Sequence, residues 1–109
     1  MNWCLIMPSR IKEINVKHLC LGIYVKHKDN SKEYDFWYDL YIIKTNNRRI
    51  AMLFNENKEF EFAVSFISID DFLRYLINNV CEKDEIPRRI EILDPEARLR
   101  RVYEIKHGE

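Results

Sequence analysis

Glycine and proline are scarce in this chain. Two glycines and three prolines occur among its 109 residues, which excludes collagen-like repeats and flexible linker sequences. Phosphate-binding loops need several closely spaced glycines, because their backbone must approach the phosphate without intervening side chains. The chain lacks such a loop, and we predict no cofactor.

Long apolar runs are also missing. None approaches the roughly 18 residues that a membrane-spanning helix needs. The run 3–7 has no basic segment before it and ends at Pro8, unlike a secretory signal. The three cysteines, Cys4, Cys20 and Cys81, are widely spaced, whereas secreted disulfide frameworks usually have an even number. We predict reduced thiols, a cytoplasmic protein and no membrane partner.

Neither sign of charge is in excess. Lysine plus arginine and aspartate plus glutamate number 18 each, and 47% of the residues are hydrophobic. This balance is too apolar for a disordered chain, and the length fits a single domain over residues 1–109. Basic groups predominate in residues 1–54 and acidic groups in residues 55–85. A surface of mixed sign is not typical of a nucleic-acid-binding domain.

Metal ligands are not grouped along the sequence. His18 and Cys20 are two residues apart, and His27 follows seven residues later. Zinc sites usually contain closer pairs, such as C-x₂-C or H-x₃-H. The spacing therefore predicts no metal site.

Three segments in the middle of the chain have the composition of strands. Residues 36–44 and 49–54 are rich in aromatic and β-branched side chains, and residues 59–66 alternate between apolar and more polar positions. Such a period of two predicts a strand with one buried face. Because the two connections are short and polar, the three segments predict an antiparallel meander.

The flanking segments predict two further strands, near residues 3–7 and 19–25, a short helix near 9–14 and an edge strand near 88–93. Ser68 is a suitable N-cap for a helix over 69–82, whose apolar stripe has helical spacing. Pro95 suits the first position of a short C-terminal helix through Tyr103. The predicted fold class is α+β, an antiparallel sheet packed by these helices, with helix 69–82 on the face of Phe60 and Phe62.

No catalytic signature is present. A nucleophile elbow or comparable motif does not occur, and Asp70 with Asp71 is better explained by helix capping than by paired-carboxylate chemistry. A metal-independent nuclease built from Tyr24, His27, Lys28 and an arginine stays open, but no spacing supports it. The sequence therefore favours a protein that is not an enzyme, without deciding the point.

Aromatic residues suggest a binding surface. If Phe36, Tyr38, Leu40 and Ile42 face the core, the next residues along the strand face the other way. That second face would carry Trp37, Asp39 and Tyr41, with Glu59 and Glu61 on a nearby strand. Exposed tryptophan and tyrosine are typical anchors of protein interfaces, and carboxylates would favour a partner with basic or apolar groups. The alternative is that another element covers this face and makes it a second core.

Paired arginines support a different function. Arg48 and Arg49 open one strand, and Arg98 and Arg101 would share one face of the C-terminal helix. Clustered arginines bind phosphates well, so a nucleic-acid-binding accessory protein is the alternative prediction. Its affinity would be weak and sensitive to salt, because the net charge is zero. A homodimer also stays open.

Part of the central hairpin resembles a family of small uncharacterised prokaryotic proteins. Trp37-Tyr38, Arg48-Arg49 and Leu53-Phe54-Asn55 are similar to that family's W-Y strand, paired-arginine turn and L-F-x-N strand end. The resemblance implies no catalytic residue. The sequence is also similar in style to phage, plasmid and immunity proteins, which bind and block other proteins. We therefore expect a non-enzymatic inhibitor, antitoxin, immunity protein or phage counter-defence (anti-CRISPR-like) protein that acts by protein contact.

Overall fold

The computed structural model describes residues 15–106, which form one six-stranded antiparallel sheet with a single helix packed against it. The strands lie in the order β4-β3-β2-β1-β5-β6. In chain order the elements are β1 (Asn15–His27), β2 (Glu33–Lys44), β3 (Arg49–Phe54), β4 (Phe60–Phe66), α1 (Ile69–Val80), β5 (Glu85–Asp94) and β6 (Leu99–Glu104).

The predicted meander is present as β2, β3 and β4. Two short turns connect these strands, and each turn is closed by a backbone hydrogen bond: Thr45 N donates to Arg48 O, and Asn55 N donates to Glu59 O, both at 2.9 Å. The predicted strand near 19–25 is longer than expected and pairs with β2 on one side and with β5 on the other. The predicted strand 3–7 and helix 9–14 lie outside the described residues.

The predicted C-terminal helix is wrong. Residues 99–104 form strand β6, which pairs with β5 along its whole length. Asp94 Oδ1 accepts a hydrogen bond from Ala97 N at 3.2 Å, and Arg98 has a left-handed backbone with φ 54°. A left-handed residue interrupts a right-handed helix, and pairing with β5 supplies the backbone hydrogen bonds that a helix would otherwise make. Pro95 therefore lies in a hairpin turn.

Helix α1 begins where the sequence predicts. The Ser68 hydroxyl accepts a hydrogen bond from Asp71 N at 3.2 Å and so caps the first turn. Phe72 and Leu76 are buried against the sheet. The ring of Phe72 stacks on Phe66 with 4.8 Å between centroids. The helix thus covers the sheet face that we call the core face.

The core face carries most of the predicted core residues. Leu40 is fully buried, and Phe36, Tyr38 and Ile42 pack against the same cluster. Strand β1 contributes alternate residues, all of them buried: Leu21, Ile23 and Val25. Burial of these side chains follows the period of two in β1 and β2.

Phe60 is an exception to the predicted register. It was expected beside Phe62 on the core face, yet it is 56% exposed. The pairing of β3 with β4 shifts between Leu53, which opposes Phe62, and Phe54, which opposes Phe60. Such a bulge places one extra residue in β4, between Phe60 and Phe62. The side chains on its two sides then alternate out of step, so Phe60 points to the face opposite Phe62. Phe60 therefore lies on the face turned away from α1, which we call the outer face.

Candidate protein-binding face

The outer face is formed by the residues that alternate with the core in β1 to β4. Directly opposed residues in an antiparallel pair point to the same side. His18 opposes Tyr41, Cys20 opposes Asp39, and Asp39 in turn opposes Phe54. Within residues 15–106, α1 is the one helix, and it lies on the core face. No helix within residues 15–106 is long and apolar enough to cross a bilayer.

Four aromatic rings form a row across the outer face, one from each of the four strands. His18 stacks on Tyr41 with 4.7 Å between ring centroids. Tyr41 meets the edge of Phe54 at 5.7 Å, and Phe54 meets Phe60 at 5.6 Å. The first and last contacts join opposed residues, and the middle one is diagonal. We call this set the aromatic row.

A mainly apolar groove of about 380 Å³ lies along the aromatic row. Val16 at one side is 56% exposed, as is Phe60 at the end of the row. Exposed apolar patches of this kind mark binding surfaces more often than scattered single residues do. The residues that line the groove are Val16, Asp39, Tyr41, Ile43, Met52, Phe54 and Lys58.

Trp37 lies on the outer face, as predicted, but apart from this groove. Its ring is so close to Gly22 that a Cβ atom at that position would lie 2.7 Å from it. The indole Nε1 donates a hydrogen bond to Asp35 at 2.8 Å, and Tyr24 meets the ring edge-on. Gly22 thus allows the close approach of the indole ring to the backbone of β1. Trp37 is consequently half-buried rather than free.

Asp39 lies between two positively charged or polar groups. Lys58 Nζ is 2.7 Å from Asp39 Oδ2, and His18 Nε2 is 2.9 Å from Asp39 Oδ1. These hydrogen bonds, first from Lys58 and then from His18, hold the pKa of the Asp39 carboxyl below its ordinary value. The Asp39 carboxylate is therefore already neutralised within the chain.

The β3–β4 turn explains why Lys58 reaches Asp39. The Asn55 side chain accepts hydrogen bonds from Asn57 N and Glu59 N at 2.9 and 3.0 Å. Lys58 has a left-handed backbone, with φ 67°. This Asx-type turn directs the Lys58 side chain over β3 to the carboxylate on β2.

Glu59 and Glu61 both contact the β3–β4 turn. The Asn55 side-chain amide donates to both, at 3.1 and 2.8 Å, so they share the turn. Burial, and then the Glu61 carboxylate, raise the pKa of Tyr38 to about 12, and Tyr38 packs on the core face. The two glutamates are exposed beside the β3–β4 turn.

The predicted arginine clusters are divided by the structure. Arg48 lies in the β2–β3 turn and donates to Ser65 Oγ at 3.2 Å, whereas Arg98 lies in the β5–β6 turn. Arg98 and Arg101 do not share a helix face, because Arg101 is in a strand. Arg49 and Arg101, however, line the same groove of about 490 Å³ on the core face, together with Lys17.

Another arginine pair has a structural role. The carboxylate of Glu91, which is 3% exposed as a residue, accepts hydrogen bonds from Arg89 Nε at 2.9 Å and from Arg100 Nη2 at 2.8 Å. Arg100 first, with Arg89, holds the pKa of Glu91 below its ordinary value. Arg89 also lies 3.9 Å from the centroid of the Tyr24 ring. Arg89 and Arg100 are therefore already ion-paired with Glu91.

Sequence reasoning missed several residues of the outer face. His18 and Cys20 were considered as isolated metal ligands, Phe54 as the end of a strand, and Phe60 as core. The alternation in β1 contained a usable signal, since His18, Cys20 and Gly22 are separated by the half-buried Leu19 and the buried Leu21. The pairing that brings them beside β2 has no local signature.

Comparison of the chain with protein-family models, with curated proteins and with solved structures finds no match.

Proposed function

We propose that the outer face binds another protein, and that the chain acts through this contact rather than by catalysis. The observation that supports the proposal is the aromatic row with its apolar groove. Rigid aromatic side chains give a large contact area at a small entropic cost, which is why they dominate interface energetics. An inhibitor, antitoxin, immunity protein or phage counter-defence protein that acts in the cytoplasm would use such a surface.

The groove favours a particular partner chemistry. Tyr41, Met52 and Phe54 line it with apolar atoms, so the partner should insert an aliphatic or aromatic side chain there. Asp39 is neutralised within the chain and contributes little attraction of its own. Glu59 and Glu61, which are exposed beside the β3–β4 turn, would attract basic groups on the partner.

Affinity capture from a bacterial lysate tests the proposal, with Phe60→Ser as the variant. Phe60 is 56% exposed at the end of the row, and Ile67, 70% exposed outside the groove, offers a matched control. The wild type and Ile67→Ser should retain the same proteins after nuclease treatment, and Phe60→Ser should lose them. Equal capture by both variants would show that the binding surface lies elsewhere.

A second function is supported by the groove on the core face. Arg49 and Arg101 line it from β3 and β6, and nothing in residues 15–106 forms a hydrogen bond or ion pair with either guanidinium. An accessory protein that binds nucleic acid through these arginines would show binding that falls steeply with salt. Fluorescence anisotropy with an oligonucleotide tests this, and the Arg49→Ala and Arg101→Ala double variant should abolish any binding.

A further inference from the structure

We propose that His18, Cys20 and Asp39 form a binding site for a divalent transition-metal ion, with Zn²⁺ as the best match. The three side chains offer an imidazole nitrogen, a thiol sulfur and a carboxylate oxygen, and these ligand atoms all lie within 4.8 Å of one another. The proposal is independent of the protein-binding function, because it rests on the ligand atoms alone.

The sheet register builds this site. His18 and Cys20 are two residues apart in β1, so their side chains point to the same face. Asp39 directly opposes Cys20 in β2 and supplies the third ligand. His18 and Asp39 are separated by 21 residues in the chain, which is why a search for closely spaced ligands predicted no metal.

The distances suit tetrahedral coordination with small adjustments. Zinc bonds of about 2.0 Å to nitrogen and oxygen and about 2.3 Å to sulfur place these ligand atoms roughly 3.3–3.5 Å apart. His18 Nε2 and Asp39 Oδ1 are now 2.9 Å apart and would separate slightly, whereas wider pairs, up to 4.8 Å, would close. Rotations of side chains at the surface of a sheet allow changes of this size.

The surroundings orient two of the ligands. Lys58 holds Asp39 Oδ2 at 2.7 Å, which leaves Oδ1 directed toward His18. The His18 ring is held against Tyr41 by stacking. Partners of this kind, which orient a ligand without touching the metal, are common in metal sites.

The chemistry selects the class of ion. One nitrogen, one sulfur and one oxygen form a borderline set that suits Zn²⁺, and Co²⁺ as its spectroscopic substitute, better than Mg²⁺ or Ca²⁺, which require oxygen ligands. The ion would displace the Cys20 thiol proton and any proton shared by His18 and Asp39. With three protein ligands, a fourth position stays open to water, since His18 is 45% exposed at its side chain.

Cobalt titration tests the site in the complete chain with Cys4→Ser and Cys81→Ser, so that Cys20 is the one remaining thiol among the three cysteines. A phosphine keeps it reduced. We expect one Co²⁺ per chain, a thiolate-to-cobalt charge-transfer band, and loss of the band when Zn²⁺ is added. Zn²⁺ should also raise the melting temperature, since it binds the folded chain.

Single substitutions identify the ligands. Cys20→Ser should abolish the band, and His18→Gln and Asp39→Asn should each weaken Co²⁺ binding by more than about 10-fold, the lower range for loss of a supporting residue. His27→Gln is the matched control, because His27 Nε2 lies 3.0 Å from Asp84 Oδ2 in a second exposed histidine–aspartate pair. Circular dichroism confirms that each variant folds.

Any of three results would overturn the proposal. One is the absence of a thiolate band with Co²⁺ in excess. The others are binding that Asp39→Asn leaves unchanged, and binding that His27→Gln weakens as much as His18→Gln does. Asp39→Asn nearly preserves the shape of the side chain, so the outcome does not depend on the folding of Cys20→Ser.

Discussion

Tyr41 and Phe54 meet edge-on with their ring centroids 5.7 Å apart, although they are not opposed in the strand register. Tyr41 opposes Met52, and Phe54 opposes Asp39. Diagonal neighbours in a sheet are within reach of aromatic side chains. This contact joins the His18–Tyr41 stack to the Phe54–Phe60 pair and makes the row continuous across four strands.

The two sides of the sheet should differ in their tolerance of substitution. Phe72 is 1% exposed and Phe60 is 56% exposed. Phe72→Ala should lower the free energy of unfolding by about 3–5 kcal/mol, the usual range for a buried phenylalanine. Phe60→Ala should cost less than about 1 kcal/mol, because little area is lost from the core. Urea denaturation of both variants measures this, and equal losses would contradict the assignment of Phe60 to the outer face.

Gly22 should not tolerate alanine while Trp37 is present. The new Cβ would lie 2.7 Å from the indole ring, so Gly22→Ala should destabilise the fold by about 1–3 kcal/mol, as overpacking does. In a Trp37→Leu background the same substitution should cost clearly less. A double-mutant cycle measured by denaturation gives the coupling. Additive losses would mean that the ring readily moves aside.

Tyr41 should contribute more to binding than Trp37. Tyr41 lines the apolar groove, whereas Trp37 packs over Gly22 and bonds to Asp35. Once a partner is captured, Tyr41→Ala should weaken binding by about 2–4 kcal/mol, within the hot-spot range. Trp37→Ala should act mainly through stability. Isothermal titration calorimetry, with a melting curve for each variant, separates these effects. A larger loss of affinity from Trp37→Ala than from Tyr41→Ala would place the contact nearer β1.

Glu91 should make stability depend on acidic pH. Arg100 and Arg89 lower the pKa of its carboxyl in the folded state. A group with a lowered folded pKa stabilises the fold above its unfolded pKa, near 4.5, and this contribution is lost as the pH falls through the folded pKa. Glu91→Gln should thus be less stable than wild type at pH 7, with a smaller difference below pH about 4. Melting temperatures across this range test it, and a constant difference would show that the carboxylate charge is irrelevant.

The strands of the meander and helix α1 could be predicted from the sequence, since their signals are local. The alternation in residues 59–66, the polar turns and the Ser68 cap each act over a few residues. The predicted C-terminal helix was wrong because Pro95 is compatible both with a helix start and with a turn. The pairing of residues 99–104 with β5 and the left-handed backbone of Arg98 decided for the turn.

The sequence by itself determined that Leu40 and Asp39 lie on opposite faces of β2, because side chains alternate along a strand. What lies beside Asp39 was decided only by tertiary structure. Strand pairing brought Cys20 and His18 to it from β1, a bulge moved Phe60 to the same face, and a turn supplied Lys58. The physical reason is that a side chain's own strand sets its face, whereas its neighbours depend on register between segments far apart in the chain.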